Sequence, residues 1–228
     1  IVDHTKAIQI NPQYIDAYFN RGNAKRELGN DQGAIADYDK AIQIDPLYAN
    51  AYINRGNVKK MLGDYQGAIA DYNKALEIDP QVAIAYNNRG VVKGYLEDYQ
   101  GAIADYNKAI VIDPQYANAY GNSCGAKLTL GNNKGALIDC NKALEINPQN
   151  AIAYTTRCGA KLNLGNNKFA LIDCNKALEI NPQDEIAYRN RGIIKENNGD
   201  LRGACADWRK ASSLGVQDAA GWVRKQCQ

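Results

Sequence analysis

Apolar and small residues recur along the chain at spacings of three and four, and polar turn residues interrupt them at regular intervals. In residues 49–82, two such runs flank the dipeptide Gly63-Asp64, and Pro80 follows the second run. Each run predicts one amphipathic helix of about three to four turns. Glycine suits the end of a helix, aspartate suits a turn or a helix start, and proline stops a helix because it lacks the amide donor. Residues 49–82 therefore predict a hairpin of two helices.

The hairpin pattern repeats with a period of 34 residues. The stretch GAIADYNKA occurs at 67–75 and again at 101–109, and all 6 prolines share the same spacing. One hairpin cannot bury its apolar face alone, so stacked neighbours must bury it. The sequence thus predicts a single all-α solenoid of antiparallel helical hairpins. Its complete repeats are 15–48, 49–82, 83–116, 117–150, 151–184 and 185–218.

Packing within a hairpin follows from which residues face each other when the chain folds back at the turn. In the second repeat this places Gly56 opposite Ala68, and small residues there let the two backbones approach closely. The tyrosines Tyr52 and Tyr72 are expected to fill the space between successive hairpins.

Both ends of the chain depart from the complete repeat. Residues 1–14 have the pattern of a second helix only, so we expect the chain to begin inside a truncated repeat. Residues 217–228 combine Trp222 and Val223 with basic residues, and predict a capping helix with a polar outer face. This cap indicates the natural C-terminus, and the alternative is a frayed tail.

The residues above carry a family resemblance. The period, the aromatic residue early in the first helix, the glycine four residues later, the leucine-glycine before the turn and the closing proline resemble the tetratricopeptide repeat (TPR). The repeat consensus YxNRGxxK…LGDYQGAIADYNKAIxIDP is similar to the repeats of TPR proteins of cyanobacteria. The resemblance implies a right-handed superhelical solenoid. Its first helices would line a concave groove that binds a peptide or a partner protein.

Composition excludes several other classes of protein. The chain is 45% apolar and 23% charged, with a net charge of +2, so it lacks the basic excess of a nucleic-acid binder. No apolar run approaches the roughly 20 residues that a membrane helix needs, so no membrane insertion is expected. No signal peptide is visible, and we expect a cytoplasmic protein, although the incomplete first repeat weakens that inference.

The sequence shows no constellation typical of catalysis. The single histidine, His4, lies in the truncated repeat, and the chain has no phosphate-binding glycine loop and no CxxC or HExxH spacing. We therefore expect no enzyme activity, no cofactor and no metal site.

A column of aspartates follows the repeat rather than an active site. Across the turn from each aspartate lies an arginine, with Ser123 as the exception, and we favour ion pairs that fix the hairpin geometry over ligand binding. Each arginine can reach the aspartate of its own hairpin or that of the preceding one, and the sequence leaves both pairings open. The aspartates are Asp37, Asp71, Asp105, Asp139, Asp173 and Asp207, and the arginines are Arg21, Arg55, Arg89, Arg157 and Arg191.

A second column, of asparagines, is the candidate binding site. A primary amide both donates and accepts, so such a column can hold the main chain of an extended peptide without reading its side chains. Solvation or capping of a neighbouring helix is the alternative. The residues two after the repeat tyrosine are Asn20, Asn54, Asn88, Asn122 and Asn190, with Thr156 as the departure, and their neighbours are Asn23, Asn50, Asn57, Asn87 and Asn118.

The asparagine column resembles the ladder in the TPR superhelix of O-linked N-acetylglucosamine transferases, which holds peptide backbones. TPR domains of chaperone co-factors instead bind a C-terminal carboxylate through lysines and arginine. Phe19, Ile84 and Asn88 stand at those columns here, and this departure argues against a carboxylate clamp.

Cysteines distinguish the fourth and fifth repeats from the first three. Cys124 and Cys158 replace the packing glycine, while Cys140 and Cys174 replace the tyrosine across the turn. The exchange conserves packed volume without oxidation, so buried free thiols are the favoured interpretation. A disulfide within each hairpin is the alternative, since facing helices can approach closely enough.

Three functional hypotheses follow. The first is a non-enzymatic scaffold that binds a peptide or partner protein. The second is the substrate-docking segment of a larger enzyme or regulator. The third is a self-assembling module, because the truncated repeat exposes an apolar edge that includes Ile1, Val2 and Ile8.

Overall fold

The computed structural model describes residues 1–227, and this part of the chain is built from fourteen α-helices without a strand. The helices are α1 Val2–Ile10, α2 Ile15–Glu27, α3 Asp31–Ile44, α4 Ala49–Met61, α5 Tyr65–Ile78, α6 Ala83–Tyr95, α7 Tyr99–Ile112, α8 Ala117–Thr129, α9 Asn133–Ile146, α10 Ala151–Asn163, α11 Asn167–Ile180, α12 Glu185–Asn197, α13 Leu201–Ser213 and α14 Gln217–Gln226. They form a solenoid of helical hairpins, as the sequence predicts. The last residue of the expected cap, Gln228, lies outside the described residues.

The turns explain where the helices begin and end. Gly63 ends the first helix of its hairpin with a φ of 80°, in the left-handed region that glycine enters without strain. Glu97 holds the equivalent place in the third hairpin with a φ of 62°, at a cost in backbone strain. The side chain of Asp64 caps the second helix by accepting from the amide of Gly67 at 2.9 Å. Local sequence therefore sets these helix boundaries.

The chain divides into two compact units. Unit 1 is Ile1–Pro114 and contains α1 to α7, and unit 2 begins at Gln115 and contains α8 to α14. Within unit 1, a core forms between the second and third hairpins around Tyr52, Tyr72 and Val92.

The close approach within a hairpin occurs between a glycine and an aromatic ring. A Cβ added to Gly56 would lie 2.9 Å from Cε1 of Tyr72, a fully buried residue. Gly22 with Tyr38 and Gly90 with Tyr106 repeat this contact in unit 1. The sequence predicts that Gly56 faces Ala68. In the structure, the ring of Tyr72 fills the space that the glycine leaves.

The predicted arginine–aspartate pairs form within single hairpins. Arg21 donates from Nε to Asp37 Oδ2 at 2.8 Å and from Nη2 to Asp37 Oδ1 at 2.7 Å. Lys25 adds a second cation at 2.8 Å from the same carboxylate. Burial opposes ionisation of Asp37, but the hydrogen bonds from Arg21 and Lys25 outweigh it, so the pKa of this carboxyl is lowered. Equivalent pairs are Arg55–Asp71, Arg89–Asp105, Arg157–Asp173 and Arg191–Asp207.

Each arginine also contacts the hairpin before its own. Arg89 Nη1 donates to Asn73 Oδ1 at 2.7 Å, and Arg191 Nη1 donates to Asn175 Oδ1 at 2.9 Å. The guanidinium of Arg89 further lies over the ring of Tyr86, 5.4 Å from its centroid. One side chain thus joins the two helices of a hairpin and the hairpin to its predecessor.

The cysteines of unit 2 are paired, which corrects the expectation of free thiols. Disulfides join Cys124 to Cys140 and Cys158 to Cys174, with Cα–Cα distances of 5.4 and 5.5 Å. The physical reason is the close glycine–tyrosine approach: when cysteines replace both residues, their sulfur atoms meet across the same gap. A third disulfide, Cys205–Cys227, joins α13 to the residue after α14 and was not foreseen from the sequence.

We expect Asp105→Ala to lower the free energy of unfolding by about 3 kcal/mol, because it leaves Arg89 and Lys93 without their buried counter-ion. Urea melts followed by far-UV circular dichroism measure the change. Asn107→Ala, at an exposed position of the same helix, is the control and should melt like the wild type. Equal stability of Asp105→Ala and wild type would contradict a structural role for the pair.

We expect denatured protein without reductant to titrate as having no thiols, and reduced protein to show all 6 cysteines. Reduction should lower the stability of each bridged hairpin of unit 2 by about 3 kcal/mol. The reason is that each bridge joins cysteines 16 residues apart, and a disulfide that closes a loop of this length restricts the unfolded chain by about that amount. The double variant Cys158→Gly/Cys174→Tyr restores the residue pair of unit 1 and should make that hairpin insensitive to reductant. Six thiols in unreduced protein would refute the bridges.

Candidate functional site

The asparagines of unit 1 pair with one another between successive first helices. Asn54 Nδ2 on α4 donates to Asn23 Oδ1 on α2 at 2.8 Å. One repeat later, Asn88 Nδ2 on α6 donates to Asn57 Oδ1 on α4 at 2.9 Å. We call the surface that carries these four residues the amide face.

Buried tyrosines orient these amides. The hydroxyl of Tyr38 donates to Asn23 Oδ1, and the hydroxyl of Tyr72 donates to Asn57 Oδ1, both at 2.8 Å. Burial raises the pKa of Tyr72 and of Tyr38, so both hydroxyls keep their proton at neutral pH. Because Oδ1 of Asn23 and of Asn57 already accepts two hydrogen bonds, each amide is fixed with its Nδ2 as the group left to donate.

The other asparagines singled out by sequence lie in different environments. Asn87 and Asn190 are buried, at 5% and 6% exposure, and Asn87 Nδ2 donates to Asn88 Oδ1 at 3.2 Å. Asn122 is half-buried. Asn20, Asn50 and Asn118 are exposed. The structure therefore brings together Asn23, Asn54, Asn57 and Asn88 as a hydrogen-bonded set and leaves the exposed three outside it.

Unit 2 lacks the amide pairs at the equivalent places. Gly125 and Gly159 stand where Asn23 and Asn57 stand in unit 1. Thr156 turns its hydroxyl to its own helix, donating to the carbonyl of Ile152 at 2.8 Å. The surface instead opens into two cavities, of about 460 and 330 Å³. Asn118 and Asn122 line the first, and Asn190 lines the second.

The second cavity was not predicted, although the sequence carries a signal for it. Asparagine at 23 and 57 becomes glycine at 125 and 159 at the same phase of the repeat. A glycine in mid-helix is unfavourable by itself, so its recurrence indicates a local need for space.

Neither a cluster of metal ligands nor a membrane-spanning helix is present among residues 1–227. Within residues 1–227 no three histidine, cysteine or acidic side chains group in a way that would hold a metal ion. None of the helices described is long and apolar enough to cross a membrane.

Comparison with known families and structures agrees with the geometry. Residues 49–82 and 83–116 match the tetratricopeptide repeat family, and residues 22–63 match a TPR repeat model. A comparison with curated proteins finds no match. The narrower likeness to cyanobacterial arrays stays a prediction.

Three solved structures illustrate the similarity. YrrB, described as a TPR protein with an unusual peptide-binding site, is 25% identical, with a TM-score of 0.67 over 82% of this chain and 97% of that one. MamA is 27% identical, with a TM-score of 0.66 over 74% and 92% of the two chains. PilF of Pseudomonas aeruginosa is 19% identical and shows the fold alone, with a TM-score of 0.81 over 92% and 97%.

The 34-residue hairpin period, the glycine–tyrosine approach inside the hairpins and the family matches lead to one assignment. The chain is a tetratricopeptide repeat protein.

Proposed function

We propose that this protein is a non-catalytic scaffold that binds an extended peptide, or an extended segment of a partner protein, along its first helices. The observation that carries the proposal is the amide face of unit 1. TPR repeats generally serve as protein-interaction modules, and the description of YrrB as a peptide-binding TPR protein supports the same class of ligand.

The amide face suits a peptide main chain. In the first pair, Asn23 Nδ2 is the donor left over and Asn54 Oδ1 is the acceptor left over. In the next pair, Asn57 Nδ2 is left to donate, and Asn88 Oδ1 already accepts from Asn87 and has one lone pair left for a ligand. A peptide unit also offers one donor and one acceptor, so the pairs complement it without selecting a side chain.

The tyrosine hydroxyls make this arrangement favourable for binding. Because Tyr38 and Tyr72 hold the amides in place before the ligand arrives, less side-chain entropy is lost on association.

Self-assembly is a second candidate, supported by α1. None of its residues is buried, and Val2 and Ile10 are 66% and 85% exposed. A second copy or another repeat could cover this edge and give a homo-oligomer. The same helix is compatible with a role as the docking segment of a larger enzyme or regulator.

The cytoplasmic location stays a proposal. Disulfides persist in oxidising compartments and are rare in the cytosol. The bridges of unit 2 therefore count against this location, and cysteine trapping in intact cells tests it: free thiols would support the cytoplasm, and paired cysteines would overturn it.

We expect the triple variant Asn54→Ala/Asn88→Ala/Asn122→Ala to bind peptide about 10- to 100-fold more weakly, because each lost hydrogen bond contributes on the order of 1 kcal/mol. The melting temperature should fall only slightly, since Tyr38 and Tyr72 still satisfy Asn23 and Asn57. Partners are first recovered from the source cell by pull-down, and synthetic peptides from them are then titrated by calorimetry.

Two further variants sharpen this test. Tyr38→Phe/Tyr72→Phe removes only the orienting hydroxyls and should weaken binding by a smaller factor. Asn107→Ala, on a second helix, should bind as the wild type does. Unaltered affinity of the triple variant would show that partners use another surface, and loss of its fold would show that the asparagines are structural.

A further inference from the structure

The cavity around Gly159 lies where unit 1 has an amide pair. Gly159 holds the place of Asn23 and Asn57, and Asn190 on α12 holds the place of Asn54 and Asn88. A Cβ added to Gly159 would lie 3.4 Å from Asn190 Nδ2 and 3.3 Å from Cδ2 of Leu128. A Cβ at Gly159 would therefore already touch both side chains, and the cavity that Gly159 and Asn190 line extends beyond that position.

The amide of Asn190 is oriented towards this space. Its Oδ1 accepts from Arg189 Nη1 at 3.3 Å, so Nδ2 takes the opposite side, facing Gly159. Asn190 Nδ2 donates to none of the described residues and remains in contact with solvent, although the residue as a whole is 94% buried. A ligand carbonyl in the cavity would take the place of water as the acceptor of this amide.

Aliphatic side chains form half of the cavity lining, namely Leu128, Leu162, Ile186 and Ile193, and the cavity has a volume of about 330 Å³. Asn163 adds a second amide to the lining, and its Nδ2 already donates to Asn133 Oδ1 at 3.1 Å. This volume holds a branched aliphatic side chain together with the main chain beside it.

The cavity offers no uncompensated charge to a ligand. Arg189 is its one charged lining residue, and Asp218 Oδ2 lies 3.2 Å from Nη2 of that arginine. The guanidinium also lies over the ring of Trp222, 5.5 Å from the centroid. A charged ligand side chain would lose its hydration here without gaining an unpaired counter-ion.

We propose that this Gly159 pocket binds one uncharged aliphatic residue of the peptide, with the main-chain carbonyl of that residue accepting from Asn190 Nδ2. The proposal rests on the proposed function in that the ligand is a peptide. It assigns the two units different roles: the amide face of unit 1 holds main chain without reading side chains, and the Gly159 pocket selects a leucine-like anchor.

The probe is N-acetyl-L-leucine N-methylamide, titrated into the full chain and followed by the side-chain amide signals of asparagine in ¹H–¹⁵N NMR spectra. We expect saturable shifts of the Asn190 amide in the wild type. Gly159→Asn should weaken binding at least about 10-fold, because the new side chain fills the pocket and takes the Asn190 amide as Asn57 takes that of Asn88.

The variant is expected to fold, since α2 and α4 carry asparagine at this place and asparagine has a higher helix propensity than glycine. Gly125→Asn is the matched control, with the same substitution one repeat earlier at a residue outside the pocket lining, and should bind as the wild type does.

Further ligands separate the alternatives. N-acetyl-L-lysine N-methylamide and N-acetyl-L-glutamate N-methylamide should bind at least about 10-fold more weakly than the leucine probe. Tighter binding of N-acetyl-L-leucine, which has a free carboxylate, than of its methylamide would overturn the proposal in favour of an anion site at Arg189. Absence of a shift in the wild type, or an equal shift in Gly159→Asn, would also overturn it.

The failure of this proposal is distinguishable from failure of the proposed function. Partner peptides that bind the wild type and Gly159→Asn equally would overturn the pocket and leave peptide binding intact. Binding of the leucine probe without binding of any partner peptide would support the pocket and overturn the scaffold.

Discussion

The close approach of two helices at one residue pair governs every hairpin of this protein. In unit 1 the pair is a glycine and a tyrosine ring, and in the last hairpin Gly192 meets Trp208 in the same way. Cysteines at both members of the pair turn the same approach into a disulfide in two hairpins of unit 2. The constraint is one of distance, since any side chain gained on one helix must be offset on the other. The aromatic ring and the disulfide are two solutions to it.

Where a tyrosine packs against the glycine, the same side chain also contacts the candidate site. The ring of Tyr72 fills the space beside Gly56, and its hydroxyl reaches Asn57, the next residue of the same first helix. A disulfide has no hydroxyl, and the fourth and fifth hairpins have Gly125 and Gly159 in place of that asparagine. In the last hairpin, Ile193 takes the place of the asparagine, and Trp208 Nε1 has no acceptor among the described residues. The tyrosine alone does not decide the polarity of this surface, because the third hairpin keeps Tyr106 but has Val91 in place of the asparagine.

Ion pairs join the two helices of a hairpin and connect the hairpin to the one before it. The aspartate of each complete hairpin is almost fully buried and would be costly without partners. An arginine and a lysine of the same hairpin satisfy Asp71, and Arg55 then extends to Asp39 of the hairpin before. The fourth hairpin departs from this pattern, because Ser123 donates to Asp139 at 2.6 Å and Lys127 supplies the cation. These contacts fix the angle at which the first helices present their surface.

The repeat period and the helices follow from the sequence by itself, because a hairpin depends on local periodicity, caps and turn residues. The sequence also indicated that arginine pairs with aspartate, but tertiary structure decided that each pair forms within one hairpin. The asparagine column could also be read from the sequence, since phase in the repeat sets the face on which a side chain lies. Tertiary structure alone decided which asparagines pair, because Asn54 and Asn23 meet only when two first helices pack side by side. The Cys205–Cys227 bridge and the pocket in front of Asn190 also depend on tertiary structure, because both require particular distances between atoms on different helices.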